Sequence, residues 1–177
     1  SIAQVISGRV NPGGVLPFTY HRNSGDIIPH DHRFLSKLSR RFPGPLTEDG
    51  FQPQWPLGHG LTFSNLQTNI DTIRVPENHL KDSVIIEYTV TNASVRDAAQ
   101  AIDVFVTDEY AAGISPRIRV HVGFDKIQVP AKSEVKNSFK LAPRSFQFVD
   151  SEGTFHSEPG LFTIELAGEM RTIDLSP

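Results

Sequence analysis

Residues 84–91 read VIIEYTVT, and this stretch decides the fold of the chain. β-Branched and aromatic side chains dominate it, which is typical of a strand rather than a helix. Successive side chains of a strand point to opposite faces, so Ile86, Tyr88 and Val90 share one face that we predict to be buried. The stretch therefore indicates a β-sheet with a hydrophobic core on one side.

Six further segments on either side of this stretch alternate apolar and polar residues in the same way. They are 66–73, 101–107, 118–129, 134–141, 161–166 and 170–175. Seven strands in residues 66–177 favour a mainly β fold, a seven-stranded immunoglobulin-like sandwich, over a barrel. Another antiparallel β fold with the same number of strands stays open as the alternative.

One of these segments, 118–129, contains a glycine that interrupts the pattern. We expect Val120, Val122 and Phe124 to share the face that meets the core. Gly123 predicts a bulge or a close backbone contact within this strand.

Residues 1–65 have a different texture, because Pro and Gly interrupt them at short intervals. We predict the tail of a helix at 1–6, a strand at 15–20 and a short helix at 31–41 that Asp31 could cap. The apolar stripe of this short helix consists of Phe34, Leu35 and Leu38.

Two short helices and one strand bury too little surface to form a domain. We therefore expect this partial α/β segment to pack against a larger folded domain. Where that domain is missing, the segment should expose an apolar surface. The chain also starts with Ser1, without Met and inside the predicted helix, which indicates a piece of a longer protein.

Composition argues against several classes of partner. The chain has 177 residues, a formal net charge of −3 and a pI of about 6.1, so we expect no nucleic-acid partner. No stretch approaches the roughly 20 apolar residues that a membrane-spanning helix needs, so we expect no membrane partner. The absence of cysteine excludes a disulfide framework and a thiolate metal site but leaves the compartment open.

Two motifs lie in the N-terminal part, NPGGVLPFTY at 11–20 and WPLGHGLTFS at 55–64, and a third, VTNASVRDAAQAIDVFV, covers 90–106. Shorter ones follow: SPR at 115–117, VGFDKI at 122–127 and PGLF at 159–162. In this order they resemble the motifs of the C-terminal portion of glycoside hydrolase family 3 enzymes, of the β-glucosidase and β-xylosidase type. The resemblance covers essentially the whole chain.

The resemblance implies that residues 1–65 are the end of the family's α/β sandwich domain with its linker, and that 66–177 are its fibronectin type III-like domain. It implies a structural, stabilising role in the hydrolysis of O-glycosyl bonds, with the catalytic Asp and Glu upstream of Ser1. The implied partners are the N-terminal barrel and sandwich domains, in cis or in trans, and carbohydrate at the rim of a pocket. No cofactor is implied, and a secreted or extracellular location is compatible with it.

The chain itself offers only weak candidates for acid chemistry, so we assign no catalytic residue. Retaining glycosidases need two carboxyl groups about 5 to 5.5 Å apart on either side of the bond. Adjacent residues of an extended chain point in opposite directions, so neighbouring acids in the sequence are better read as solvated loop residues. Glu48 with Asp49 and Asp108 with Glu109 are such neighbours. Asp150 and Glu152 lie at a predicted turn around Gly153, where we also expect solvated acids.

Two further clusters are candidates for binding sites. His30 and His32 would share one face of a strand, but no third ligand accompanies them, so we predict no metal site. Lys37, Arg40 and Arg41 form a basic cluster that a solvated helix face explains better than an anion site.

The pattern Asn92-Ala93-Ser94 makes Asn92 a candidate glycosylation site if the protein is secreted. Ser94 and Ala98 stand where the family has turn glycines, so we expect the hairpin around Val95 to depart from the family's turn geometry.

A different class of function stays open. Residues 66–177 could form an independent immunoglobulin-like binding or adhesion module that uses a sheet edge or the loop 108–116. The chain could also associate with a separately encoded catalytic half.

Overall fold

The computed structural model describes residues 2–25, 30–31, 53–111 and 114–176. The described part contains one short helix, α1 (Ile2–Ile6), and is otherwise mainly β. Its strands are β1 (Leu66–Arg74), β2 (Val84–Asn92), β3 (Ala98–Asp108), β4 (Val120–Val129), β5 (Ser133–Leu141), β6 (Gln147–Val149), β7 (Phe155–Ser157), β8 (Leu161–Leu166) and β9 (Glu169–Asp174). No helix in these ranges is long and apolar enough to cross a membrane.

Seven of the strands form two antiparallel sheets, which confirms the predicted sandwich. One sheet has the order β1-β2-β5 and the other the order β4-β3-β8-β9. The chain crosses to the second sheet after β2, returns for β5 and crosses again before β8, as in immunoglobulin-like folds. The sequence pattern did not predict the small β6-β7 sheet, because strands of three residues are too short to show an alternation.

The core lies between the two sheets. Ile86, Tyr88 and Val90 of β2 are all fully buried in it, as predicted. They face Ile102 and Val104 of β3, which are also fully buried. Every residue of the buried core cluster comes from the sandwich, the first being Ile70 and the last Leu175.

The prediction that Phe124 belongs to the core is wrong, since its side chain is 74% exposed. The cause is a bulge in the β3-β4 pairing, where His121 pairs with Phe105 and Gly123 with Val104. The extra residue reverses the alternation, so Phe124 turns away from the core. Gly123 is the predicted close contact, since a Cβ there would lie 2.7 Å from the ring of Phe139.

The strand predicted at 15–20 is not formed. Tyr20 makes a single β-bridge with Trp55, and Leu16 exchanges backbone hydrogen bonds with the 58–59 turn, each 2.9 Å long. Pro17 between them has no N–H to continue a ladder. The predicted helix tail is confirmed as α1, whereas the helix predicted at 31–41 lies outside the described residues apart from Asp31.

The hairpin predicted around Val95 is also wrong, because β2 and β3 lie in different sheets. Neither Ser94 nor Ala98 has a positive φ, so the missing glycines cause no strain there. The side chain of Asn92 organises this inter-sheet loop by donating from Nδ2 to the carbonyls of Arg96 (2.8 Å) and Val129 (3.1 Å).

Candidate functional site

The two N-terminal motifs form one unit, which Asn11 holds together. Its Oδ1 accepts hydrogen bonds from the Thr62 hydroxyl and the Phe63 N–H, both 2.9 Å long. Its Nδ2 donates to Ser64 Oγ at 2.7 Å. On the other side of the unit, the Leu57 N–H donates to Thr19 Oγ1 at 3.1 Å. We call the described residues 2–25 and 53–65 the N-terminal segment.

The N-terminal segment packs against the outer face of the β4-β3-β8-β9 sheet, and glycines allow the close approach. A Cβ on Gly13 would lie 2.6 Å from Cβ and 2.8 Å from the carbonyl oxygen of Ala99. Gly58, with a φ of +86°, brings its Cα next to Asp103, whose carboxylate would be 3.2 Å from a Cβ there. The Arg96 guanidinium donates to the carbonyl of Gly8. The motif NPGG is therefore explained by contact with β3.

Beneath this contact, Phe105 points away from the core yet is only 2% exposed. The guanidinium of Arg119 lies 4.0 Å from the centre of its ring, and the His121 ring meets it edge-on at 5.1 Å. Arg119 also makes a bidentate ion pair with Glu165, with distances of 2.6 and 2.7 Å. Cation–π and bidentate contacts of this kind favour a rigid surface.

The same face carries a second charged pair, in which His121 Nε2 lies 3.0 Å from Asp103 Oδ1. Burial lowers the pKa of nearby His30, and the positive charges of His121 and Arg119 lower it further. The carboxylate of Asp31 opposes this decrease. Two carboxylates of the face, Asp103 and Glu165, are thus engaged by cationic or imidazole partners. These pairs stabilise the face on which the segment docks, and neither of these two acids is free.

The other sheet has a different outer surface, which is polar and faces solvent. Asp71 accepts hydrogen bonds from the Thr89 hydroxyl (2.6 Å) and the Asn69 amide (3.0 Å), and these bonds lower its pKa, Thr89 most. Arg74 and Glu87 form an exposed ion pair at 2.7 Å. The sandwich therefore has one solvated face and one face that the N-terminal segment covers in part.

The side chains of Phe18, Tyr20 and Trp55 form an exposed aromatic cluster on the N-terminal segment. The rings of Phe18 and Tyr20 are 4.8 Å apart, and Trp55 meets Tyr20 edge-on at 5.8 Å. The three side chains are 53%, 43% and 44% exposed. Other large apolar side chains of the segment are also exposed: Ile2, Ile6, Val10, Leu61 and Phe63. The prediction of an exposed apolar surface on residues 1–65 is confirmed for the described ones.

The acids singled out in the sequence have local structural roles where they are described. Asp150 accepts from the Thr154 N–H (2.9 Å), the Glu152 N–H (2.8 Å) and His156 (2.6 Å), which closes the β6-β7 turn and lowers its pKa. Glu109 accepts from the Thr163 hydroxyl at 2.6 Å. Asp108 accepts from the Tyr110 N–H at 3.1 Å, and burial is the main cause of its raised pKa.

Several candidates lie outside the described residues: His32, Lys37, Arg40, Arg41, Glu48 and Asp49. Across the ranges that are described, no group of three or more His, Asp or Glu residues could hold a metal ion.

The structure argues against a glycan on Asn92 in the folded chain. Its side chain is 1% exposed, and the Nδ2 atom that would carry the sugar donates two hydrogen bonds. A glycan would replace one of the two N–H groups on Nδ2, so at least one of these bonds would be lost and its carbonyl left without this donor.

Sequence reasoning missed the charged pairs on the outer face of β3. Asp103 and Phe105 alternate with the core residues Val104 and Val106, so the pattern itself placed them outward. Their partners come from β4 and β8, and only the register of those strands reveals the pairing.

Comparisons with known proteins agree with this architecture. The model of the fibronectin type III-like domain matches residues 100–169. A protein of Formosa agariphila assigned as a β-xylosidase is 30% identical over 165 residues, which are 93% of this chain and 21% of that protein. The periplasmic β-glucosidase of Salmonella typhimurium is 24% identical over 170 residues, 93% of this chain and 22% of that enzyme.

Solved structures show the same fold. The β-glucosidase of Listeria innocua in complex with gluconolactone matches with a TM-score of 0.84 at 21% identity, over 99% of this chain and 26% of that one. The chain therefore spans about a fifth to a quarter of the length of the proteins it matches.

Proposed function

Because the chain corresponds to the C-terminal fifth to quarter of glycoside hydrolase family 3 enzymes of the β-glucosidase and β-xylosidase type, we propose that it stabilises such an enzyme without supplying the reacting carboxylates. The hydrolysis of O-glycosyl bonds then belongs to an Asp and a Glu on barrel and α/β sandwich domains. Those domains act with this chain either in cis or in trans.

The single observation that carries this proposal is the exposed aromatic cluster of Phe18, Tyr20 and Trp55. Three large rings in mutual contact at the surface are typical of an interface, since isolated soluble proteins rarely expose contiguous apolar patches. The N-terminal segment beneath the cluster is anchored to the sandwich by the close approach of Gly13 to Ala99 and by the bond from Arg96 to the carbonyl of Gly8. A body docked on the cluster would therefore be held rigidly against the β domain.

We further propose that the domain boundary lies between residues 65 and 66. Residues 1–65 then complete the α/β sandwich domain of the enzyme, and residues 66–177 form the fibronectin type III-like domain. Two features support this position. β1 begins at Leu66, and the buried core cluster contains no residue before Ile70.

The test combines the chain with the polypeptide encoded ahead of it in its gene, expressed together or added separately. Trp55 is the only tryptophan, and its half-exposed ring should give a blue-shifted emission when the upstream domains bury it. An aryl β-glucoside or β-xyloside should be hydrolysed only by the combination.

Two variants make the test specific to the aromatic cluster. Phe18→Ser should weaken the association about tenfold or more, since it removes the most exposed ring of the aromatic cluster from the interface. Leu80→Ser changes an exposed apolar residue in the loop between β1 and β2, at the opposite end of β1 from the N-terminal segment, and should have no effect. Hydrolysis by the 177-residue chain alone, or an equal response to both variants, would contradict the proposal.

A further inference from the structure

A cavity of about 270 Å³ opens at one end of the sandwich, away from the N-terminal segment's contact with β3. It lies between β4, the loop that precedes it, the 3-10 turn Pro143–Phe146 and the β6-β7 sheet. Its lining residues are Val106, Asp108, Ile114, Pro116, Arg117, Val120, Val122, Arg144, Ser145, Phe146, Gln147, Phe148, Val149, Phe155 and Phe162.

The walls are mostly apolar, and four phenylalanines contribute to them. Phe146 and Phe162 meet edge-on with their ring centres 5.3 Å apart. Phe148 stacks on His156 at 5.6 Å, which fixes the ring on the side of the β6-β7 sheet. A concave site with aromatic and aliphatic walls and a few polar groups is the usual form of a small-molecule site.

Two groups of opposite charge line this cavity and do not pair with each other. Neither Asp108 nor Arg144 takes part in any ion pair found between described residues. Asp108 uses Oδ1 to accept from the Tyr110 N–H, and the guanidinium of Arg144 lies 4.4 Å from the centre of the Phe155 ring. The third charged residue of the lining, Arg117, is neutralised by Asp31 at 3.0 Å.

Burial and the neighbouring Glu158 and Glu109 disfavour the charge of Asp108, so a ligand cation beside it would offset that cost. Arg144 has the planar donor geometry that suits a carboxylate. A ligand that carries both charges would satisfy both side chains at once, whereas a ligand with a single charge would leave one without a partner.

We propose that this cavity binds a free α-amino acid with an aromatic or large apolar side chain. Asp108 accepts hydrogen bonds from its ammonium group, Arg144 donates to its carboxylate, and the phenylalanines surround its side chain. The volume lies just below the range of about 300 to 1,000 Å³ that is common for small-molecule sites, which suits one amino acid rather than an oligomer. This site is separate from the aromatic cluster, so its test is independent of the proposed function.

The experiment uses the 177-residue chain and three probes that share a phenyl ring: L-phenylalanine, phenethylamine and 3-phenylpropionate. Binding is measured by titration calorimetry, and amide chemical shifts locate the probe. L-Phenylalanine should bind most tightly, and each probe with one charge should bind about tenfold or more weakly, because one charge-assisted hydrogen bond is lost. The amides of Val106, Val120 and Phe162 should shift.

Two substitutions separate the charges. Asp108→Asn keeps the oxygen that accepts from Tyr110 but should reduce the affinity for L-phenylalanine about tenfold or more, with little effect on 3-phenylpropionate. Arg144→Gln should reduce the affinity for 3-phenylpropionate and should have little effect on the affinity for phenethylamine. Glu134→Gln and Lys140→Gln, exposed on β5, are the matched controls and should bind like the native chain.

The proposal is overturned if L-phenylalanine does not bind, or if 3-phenylpropionate or phenethylamine binds as tightly. It is also overturned if the shifted amides lie elsewhere. Circular dichroism of each variant checks that it folds. A folded Asp108→Asn variant with native affinity for L-phenylalanine would equally refute it.

Discussion

Tyr88 places a polar hydroxyl group inside the hydrophobic core. Its side chain is fully buried, and its hydroxyl oxygen has no hydrogen-bond partner in the part of the chain that is described. Burial, with a smaller contribution from Asp125, raises its pKa to about 12. The Asn137 amide opposes this rise without completing a hydrogen bond of normal geometry.

We expect Tyr88→Phe to leave the free energy of unfolding within about 1 kcal/mol of the native value or to raise it, because it removes an unsatisfied buried group and keeps the ring. Tyr88→Ala should cost about 3 to 5 kcal/mol through the cavity it leaves. Urea unfolding followed by circular dichroism measures both. A loss above about 2 kcal/mol for Tyr88→Phe would mean that the hydroxyl has a partner in solution.

Asn92 provides a second test at the residue scale. Its acceptor pattern suggested a glycan, yet its amide is buried and bonded to two carbonyls. We expect mass spectrometry of the chain, secreted from eukaryotic cells, to find Asn92 unmodified. Occupancy of this position in folded protein would show that the inter-sheet loop opens far enough to release the Asn92 side chain.

At the scale of elements, the adjacent glycines of the NPGG motif differ in what surrounds them. A Cβ on Gly13 would overlap both the side chain and the backbone of Ala99, whereas nothing lies within 4 Å of one on Gly14. Backbone cannot move aside as a flexible side chain can, so Gly13→Ala should loosen the N-terminal segment from β3.

Gly14→Ala is the matched control, because it makes the same chemical change one residue away. Limited proteolysis should cleave the Gly13→Ala chain within residues 2–25 faster than the native chain, and Gly14→Ala should resemble the native chain. Equal protection of both variants would show that the segment does not rest on β3 in solution.

The β-strands also show what the sequence could and could not predict. The alternation of Ile86, Tyr88 and Val90 was sufficient to identify β2 and its buried face, because burial on one face imposes that pattern. The same rule failed at Phe124, since a one-residue bulge beside Gly123 shifts every later side chain to the other face. It also failed at 15–20, where Pro17 interrupts the ladder and Phe18 and Tyr20 stay partly exposed instead of joining a sheet.

The candidate surfaces were predictable only in outline. An apolar surface on residues 1–65 followed from the scarcity of elements there, but the contact between Phe18, Tyr20 and Trp55 required two motifs about 35 residues apart to meet. The Arg119–Glu165 and His121–Asp103 pairs depend on the pairing of three strands, and nothing in the sequence states that register.

At the scale of the whole molecule, the sandwich and the N-terminal segment differ in whether they can fold alone. All residues of the buried core cluster lie between Ile70 and Leu175, so the sandwich should not need residues 1–65 in order to fold. The segment contributes one helix of five residues and a single β-bridge, which cannot form a core alone.

We therefore expect residues 66–177 to unfold cooperatively as an isolated domain. The segment covers the outer face around Phe105, so its removal should lower the stability of the sandwich. Phe105→Ala should then cost more in the full chain than in the isolated domain, because the substitution and the deletion remove the same contact. Thermal and urea unfolding of the four proteins measures this coupling. If Phe105→Ala lowers the free energy of unfolding equally in the full chain and in the isolated domain, the segment does not contact Phe105. If residues 66–177 alone unfold without cooperativity, the segment belongs to the folding unit.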